Sequence, residues 1–403
     1  MKSCIYAGSF DCFHKGHSNI VNRALKMFDR VIILVANNPA KKYTFTIDER
    51  IAIINSTIPH NDTSESNSIE VDVLPNNQLV SDYARSKGIS TILKGIRNIS
   101  DNEYERMLHE VTVAQENGVD TCVLFSNPTD AKLSSSAAKE LIKYNGDVRD
   151  YVSLFAKQQL EIKINQQYII GVTGTIGCGK SYITQLLLDA YVDQTQIKVT
   201  HIDMDMIAYD LTYSNKYNWQ NNNEVMEMRT EVQRMLGYKD PHSFPTIVKS
   251  KLQEAVFNDK HFNSDLQNLY KPVMIREIRR QISGKTGMII LNGALLIDCN
   301  MQYLCNNNVI VVDTSTEELH NRLFERYKDV KDVVKRMDSQ LSNNSKIGNL
   351  QNSIVNDNYG KMVIIKNEKG NPIYDLQNRD AKQLELLSIL RSEGFFDAIG
   401  FNI

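Results

Sequence analysis

The sequence predicts an α/β protein of two domains in series, and three observations carry that expectation. Short apolar runs alternate with helix-like stretches from residue 3 to residue 144, as expected for strands joined by crossover helices into a doubly wound parallel sheet. Residues 174–181 read Gly-Thr-Ile-Gly-Cys-Gly-Lys-Ser, a complete G-x-x-x-x-G-K-[ST] loop between an apolar run and a helical pattern, so a second domain starts near residue 168. With 403 residues, 42% hydrophobic and 23% charged, the chain can build two cores.

The elements follow in order. Residues 3–7 and 30–36 read as buried strands with a helix over 17–28 between them, a β-α-β unit. Strands at 69–74, 91–93 and 120–125 then alternate with helices at 79–87, 101–115 and 134–144. Residues 153–167 are polar and Gln-rich and read as a connecting helix or linker, which sets the domains at 1–152 and 168–403. In the second domain, strands are expected at 168–173, 197–202, 287–292 and 308–313, with a helix over 182–191 after the loop. Residues 213–231, containing Asn221-Asn222-Asn223, read as a solvated insertion. The tail 361–403 offers a strand at 361–366 and an amphipathic helix at 379–391, and no function is assigned to it.

Composition narrows the functional classes. The 46 basic and 48 acidic residues create no field for bulk nucleic acid, so any affinity for phosphate must be local. Six cysteines, at 4, 12, 122, 178, 299 and 305, include no C-x₂-C pair and suggest neither a zinc site nor a disulfide framework. No apolar run reaches the length of a membrane span, and the N-terminus enters a strand pattern at once. A cytoplasmic protein with no nucleic-acid or membrane partner is expected.

Gly8-Ser9-Phe10-Asp11-Cys12-Phe13-His14-Lys15-Gly16-His17 follows the first strand and opens the first helix. Helix N-termini carry unpaired N–H groups and a positive partial charge, so two imidazoles there face a natural phosphate site. Further polar groups follow at strand ends: Lys41 and Lys42, Lys94-Gly95-Ile96-Arg97, Asp101 to Glu105, and Ser134-Ser135-Ser136.

The four-residue pattern His14 to His17 resembles the H-x-G-H signature of the nucleotidyltransferase superfamily, whose domain is Rossmann-like. With the other segments, residues 1–152 look like bacterial-type phosphopantetheine adenylyltransferase. The resemblance implies that His17 and Lys41 are catalytic. It implies that ATP is held by Ser9, Phe10, His14, His17, Gly95, Ile96, Arg97, Glu105 and Ser134 to Ser136. The 4′-phosphopantetheine would be held by Ser9, Lys41, Val80 and Lys94. Lys94 stands where the family usually has Arg, which keeps the charge and loses the bidentate fork. A different acceptor, such as a nicotinamide or glycerol phosphate, is disfavoured by the 94–105 and 134–136 segments together.

In the second domain, the loop amides and Lys180 suit the phosphates of ATP, and Ser181 suits Mg²⁺. Asp203 and Asp205 end the second strand at i and i+2, a spacing that points two carboxylates to one face. With the 248–257, 294–298, 309–313, 322–326, 336–340 and 356–360 segments, this stretch resembles dephospho-CoA kinase, a P-loop NTPase of nucleoside monophosphate kinase type. By that resemblance Gly174, Thr175, Ile176, Gly177, Cys178, Gly179, Lys180, Ser181 and Arg326 bind ATP. Asp205, Lys180 and Arg322 would be catalytic. Dephospho-CoA would meet Asp203, Asp205, Lys249 and Asp298. The two resemblances imply the last two steps of coenzyme A synthesis, with ATP, 4′-phosphopantetheine and dephospho-CoA as small-molecule substrates, Mg²⁺ as cofactor and room for a homo-oligomer. A second reading stays open, in which the kinase half has become a regulatory nucleotide-binding module. It rests on departures from the family pattern at Lys271, Ala294 and Asp298.

Overall fold

The computed structural model describes residues 1–38, 41–58, 68–116, 118–130, 132–194, 198–214, 223–238, 247 and 249–401. Two compact units emerge, Met1–Ile164 and Asn165–Ile403.

The first unit runs β1 (Ser3–Gly8), α1 (Lys15–Ala24), β2 (Arg30–Val35), α2 (Ile47–Thr57), β3 (Ser68–Val73), α3 (Val80–Ser86), β4 (Thr91–Ile96), α4 (Ile99–Val113), β5 (Asp120–Phe125), α5 (Ser135–Lys143) and α6 (Leu154–Leu160). All five strands are parallel, in the order β3-β2-β1-β4-β5. The continuous apolar runs of β1 and β2 reflect burial on both faces. Cys4, Tyr6, Val31, Ile33 and Val35 enter one core, while Ile5, Ile32 and Leu34 enter the other. Strand order reverses between β1 and β4, the position at which such sheets open a crevice beyond the strand ends.

The stretch 153–167 contains α6, whose Ala156 and Leu160 join the first core, followed by a π-helical turn over Glu161–Asn165. Helix α2 is an addition to the sequence reading. Its start is a capping box: the Thr46 hydroxyl accepts the Glu49 N–H at 3.3 Å and the Glu49 carboxylate accepts the Thr46 N–H at 2.8 Å.

The second unit runs β6 (Gln167–Thr173), α7 (Lys180–Gln194), β7 (Val199–Asp203), α8 (Met204–Tyr213), α9 (Asn223–Met235), α10 (Lys249–Asn258), α11 (Lys260–Ile282), β8 (Gly287–Asn292), β9 (Val309–Asp313), α12 (Thr316–Tyr327), α13 (Val330–Asp338), α14 (Asn343–Asp357), β10 (Met362–Lys366), α15 (Pro372–Asp375), α16 (Arg379–Ser392) and α17 (Phe395–Ala398). Its parallel sheet has the order β10-β9-β6-β8-β7. The tail belongs to this core: Val363, Ile365, Leu386, Leu387, Leu390 and Phe395 are buried with Ile183 and Leu187 of α7.

Two expectations are corrected. The solvated insertion at 213–231 is in part helix α9, because Val225, Met228 and Val232 recur at helical spacing and are buried. Buried Arg229 on the same helix donates to the carbonyls of Leu211, Asp210 and Ser214, satisfying the end of α8. Residue 197 of the expected second strand, residues 215–222 of the insertion and residues 402–403 of the tail lie outside the described residues. Strand β7 also ends at Asp203, so Asp205 stands in the first turn of α8 rather than two places along a strand. Among the described residues no helix is long and apolar enough to cross a membrane.

Candidate active sites

Beyond the ends of β1 and β4 lies a cleft of about 540 Å³. His14 is the N-cap of α1 and His17 sits in its first turn. The His17 Nδ1 accepts the backbone N–H of His14 at 3.2 Å, which leaves the proton of a neutral His17 ring on Nε2. The intervening Gly16 makes room for the His14 ring, since a Cβ there would lie 3.0 Å from its Cε1. Phe10, at a positive φ of 49°, sets its ring edge-on to His17 with centroids 5.2 Å apart. Burial, with the Arg97 charge second, lowers the His14 pKa to about 4; burial, His14 and Arg97 hold His17 well below its ordinary value.

Cations surround these rings. Arg97 is clamped by Asp101, Nε to carboxylate at 2.8 Å, and donates to the Leu133 carbonyl at 2.9 Å, just before the serine turn. Ser134 caps α5 by accepting the Ala137 N–H at 3.0 Å, and the Ser135 hydroxyl donates to the Cys12 carbonyl at 2.8 Å. Lys94 and Glu105 form an ion pair at 2.8 Å. Ser9, Lys41, Gly95 and Ser136 also line the cleft. Ile96, expected at the ATP site, is buried and does not line the cleft, because its side chain faces the core between Gly95 and Arg97, which do. Val80 lines a separate apolar cavity of about 130 Å³, which shares Lys94 and Glu105 with the main cleft.

In the second unit the phosphate loop joins β6 to α7. Gly179 has φ of +98°, and a Cβ there would overlap the side-chain amide of Asn367. Lys180 Nζ folds over the loop to the Thr175 carbonyl at 3.1 Å. Two loop amides are held from outside: Thr175 N–H by Asn343 Oδ1 at 3.0 Å and Ile176 N–H by Gln340 Oε1 at 3.1 Å. The carbonyl of buried Cys178 accepts from Asn367 at 2.8 Å and from Arg322 at 3.3 Å. Ser181 is exposed at the first turn of α7.

Asp203 caps α8 by accepting the Met206 N–H at 2.9 Å. Both oxygens of Asp205 face the Ala294 N–H, at 3.2 and 3.4 Å. One edge of Asp205 is open to solvent, yet the protein crowding its carboxylate raises its pKa against the pull of Lys180. Asp205 stands at one side of an apolar cleft of about 400 Å³, lined by Tyr209, Tyr213, Tyr270, Leu252, Met274 and Leu295, with Lys271 and Arg336 also present. Lys249 lies over the Tyr209 ring at 5.6 Å.

The first half has relatives along their whole length. The chain is 40% identical to a phosphopantetheine adenylyltransferase of Alkaliphilus metalliredigens over 163 residues, covering 40% of this chain and 99% of that protein. It is 39% identical to a phosphopantetheine adenylyltransferase of Frankia alni over 160 residues, covering 40% of this chain and 96% of the relative. The chain belongs to the phosphopantetheine adenylyltransferase family. Residues 5–141 match the cytidylyltransferase-like family model and residues 168–361 match that of dephospho-CoA kinase, so the two are joined in one chain. A solved structure of a dephospho-CoA kinase from Campylobacter jejuni is similar at TM-score 0.34 and 20% identity, covering 58% of this chain and 98% of that one.

Some residues of the adenylyltransferase half escape sequence reasoning because their partners are remote. Asp11 accepts the N–H groups of Thr44 and Phe45 at 3.1 and 2.9 Å and pairs with Lys139, fastening the strap that carries Lys41. Buried Arg50 donates to the Ser9 carbonyl at 2.8 Å and to Asn37. In the kinase half, Arg322, expected to be catalytic, is held at Glu318 (2.9 Å), the Cys178 carbonyl and the Asn367 carbonyl (2.8 Å). Arg326 is exposed, over the Tyr327 ring. Asp298, expected at the acceptor, is buried against Lys346 and accepts the Leu341 N–H at 3.1 Å.

Proposed function

We propose that the chain carries out the last two steps of coenzyme A synthesis. In the first, an oxygen of the 4′-phosphate of phosphopantetheine bonds to the α-phosphorus of ATP and the bond to diphosphate breaks, giving dephospho-CoA. In the second, the 3′-hydroxyl of dephospho-CoA takes the γ-phosphoryl group of a further ATP, giving coenzyme A and ADP. The carrying observation is that both units are present in one chain, and the product of one reaction is the substrate of the other.

The first step needs no protein nucleophile; it needs donors and cations that hold two polyanions in line. His17 offers its Nε2–H to the charge that builds on the α-phosphate. Ser9, Lys41 and Lys94 hold the acceptor phosphate. Lys94 reaches it by loosening its pair with Glu105, which then faces the ATP side, and Val80 packs the acceptor's apolar arm. Phe10, His14, Arg97, the backbone of Gly95, and the Ser134–Ser136 turn hold ATP.

In the second step, Asp205 accepts the proton of the 3′-hydroxyl. Its raised pKa makes it a stronger base than an open carboxylate. Lys180 and the amides of the 174–181 loop hold the phosphates, Asp203 and Lys249 flank the acceptor, and Arg322 and Arg326 balance charge on the nucleotide. Among the described residues no group of three or more His, Cys, Asp or Glu could hold a metal. Ser181, exposed at the first turn of α7, would hold a Mg²⁺ arriving with ATP, and the ion would supply charge neutralisation on the phosphates. Free thiols at all six cysteines support a reducing, cytoplasmic setting.

Incubating the full chain with phosphopantetheine, ATP and Mg²⁺ and following both products by mass tests the reading. Dephospho-CoA should form first and be consumed as coenzyme A accumulates.

A further inference from the structure

The kinase half contains a buried polar chain that none of these roles uses. Lys346 of α14 is fully buried, where an unpaired ammonium would be strongly destabilising. Its Nζ pairs with Asp298 and donates to the Ala294 carbonyl at 2.7 Å. The other Asp298 oxygen accepts the Leu341 N–H at 3.1 Å. Ala294 in turn gives its own N–H to Asp205. Leu341 lies between Gln340 and Asn343, the residues that accept the Ile176 and Thr175 amides of the phosphate loop. Asn343 is itself anchored to Asp313 at 2.7 Å. Hydrogen bonds and single covalent steps thus connect the loop amides to the Asp205 carboxylate.

We propose that Lys346 and Asp298 are a positioning pair for phosphoryl transfer, fixing the 294 and 340–343 segments to each other so that Asp205 keeps its place relative to the phosphate loop. The proposal rests on the reading of Asp205 as the group that accepts the 3′-hydroxyl proton. When ATP arrives, the Thr175 and Ile176 amides exchange Asn343 and Gln340 for phosphate oxygens, and the turn carrying those side chains loses its hold on the loop. The Lys346–Asp298 pair, out of reach of water, does not exchange. It continues to tie the turn, through the Leu341 N–H, to the residue that orients Asp205. Without it the two segments drift independently, and a displacement of about 1 Å from the in-line geometry costs roughly 10²-fold in rate.

The test is steady-state phosphorylation of dephospho-CoA by the full chain carrying Lys346→Met, and by the double variant Lys346→Met/Asp298→Leu. The double variant removes the carboxylate as well, because a lone buried charge would unfold the single one, whereas an apolar replacement of both is often tolerated. The expected result for the double variant is a folded protein with a modestly lowered thermal unfolding temperature, since the Ala294 carbonyl and the Leu341 N–H lose their partners, together with unchanged adenylylation, kcat for the kinase step lower by about 10-fold or more, and KM for ATP within about threefold. A folded double variant with wild-type kcat overturns the proposal. So does a variant whose KM for ATP rises in step with the fall in kcat, since the pair would then serve nucleotide binding. Asp205→Asn is assayed beside them. If it retains wild-type turnover, the reading of Asp205 has failed; if it is inactive while the double variant is not, only the positioning pair has failed.

Discussion

The imidazoles of His14 and His17 lie face to face, ring centroids 3.6 Å apart and planes inclined by 21°. A proton on either ring would sit unsolvated beside the other and near Arg97, which is why both pKa values are depressed, His14 to about 4. His17 therefore enters the adenylylation as a neutral N–H donor. A depressed histidine pKa also means that the unfolded chain takes up the proton first. The stability the two rings contribute is complete above the ordinary value of 6.5 and is lost as pH falls below it, through about 4 for His14. In proton NMR of the free protein, their ring C–H signals should stay fixed from about pH 8 to pH 5.5; a midpoint near 6.5 for either would refute the neutral pair.

His17→Ala should lower adenylylation by about 10²–10³, the usual cost of losing one donor to a developing charge. Phosphorylation of added dephospho-CoA should be untouched, because the ring serves only the first reaction. Assaying the two reactions separately on one preparation makes the intact second activity the control for folding.

Arg50 ties the loop after β1 to the loop after β2 through the Ser9 carbonyl and Asn37, with its guanidinium 4.4 Å from the Tyr43 ring centroid. Arg50→Ala leaves the half-buried Ser9 carbonyl without its donor and empties the buried space the guanidinium fills, and should cost about 2 kcal/mol. For a domain of this size that is a fall of roughly 4–8 °C in the midpoint for thermal loss of adenylylation. Phosphopantetheine KM should rise too, since Ser9 lines the cleft.

What could be read in the sequence were features written within a few residues of one another. The apolar runs of β1 and β2, the H-x-G-H turn and the phosphate loop all declare themselves locally, because each is one strand end or one helix start. The capping box from Thr46 to Glu49 is equally local and marks α2 as clearly. Burial of α9 was masked by the polar run before it. Asp298 and Lys346 are 48 residues apart, and Asp11 and Lys139 are 128 apart, so their pairing exists only after the strands have been ordered. Asp298 therefore read as an acceptor ligand when its carboxylate is already taken.

Gly179→Ala should remove the kinase activity and leave adenylylation intact. The backbone there has a positive φ that side chains rarely adopt, and the new Cβ would push into the Asn367 amide that holds the Cys178 carbonyl. The loop would lose both its curvature and its support from the tail. ATP binding to the second half, measured by calorimetry with ATP binding to the adenylyltransferase site subtracted, should weaken along with turnover. Tight ATP binding in this variant would mean that the loop does not hold phosphate.

Asp205→Asn separates a working kinase from a regulatory nucleotide binder. The amide keeps the shape of the side chain and an oxygen to accept the Ala294 N–H, but it cannot take the proton of the 3′-hydroxyl. Turnover of dephospho-CoA should fall by about 10² or more, within the range usual for loss of a general base. ATP affinity should change little, because Lys180, Ser181 and the loop amides are unaltered. The pH dependence adds a second check: burial raises the Asp205 pKa, so the acidic limb of wild-type kcat should lie above the ordinary carboxylate range, and the residual activity of the variant should lack that limb. Wild-type protein that binds ATP and yet makes no coenzyme A would favour the regulatory reading, with the cleft around Lys271 and Tyr270 as the place where the acceptor site had been lost.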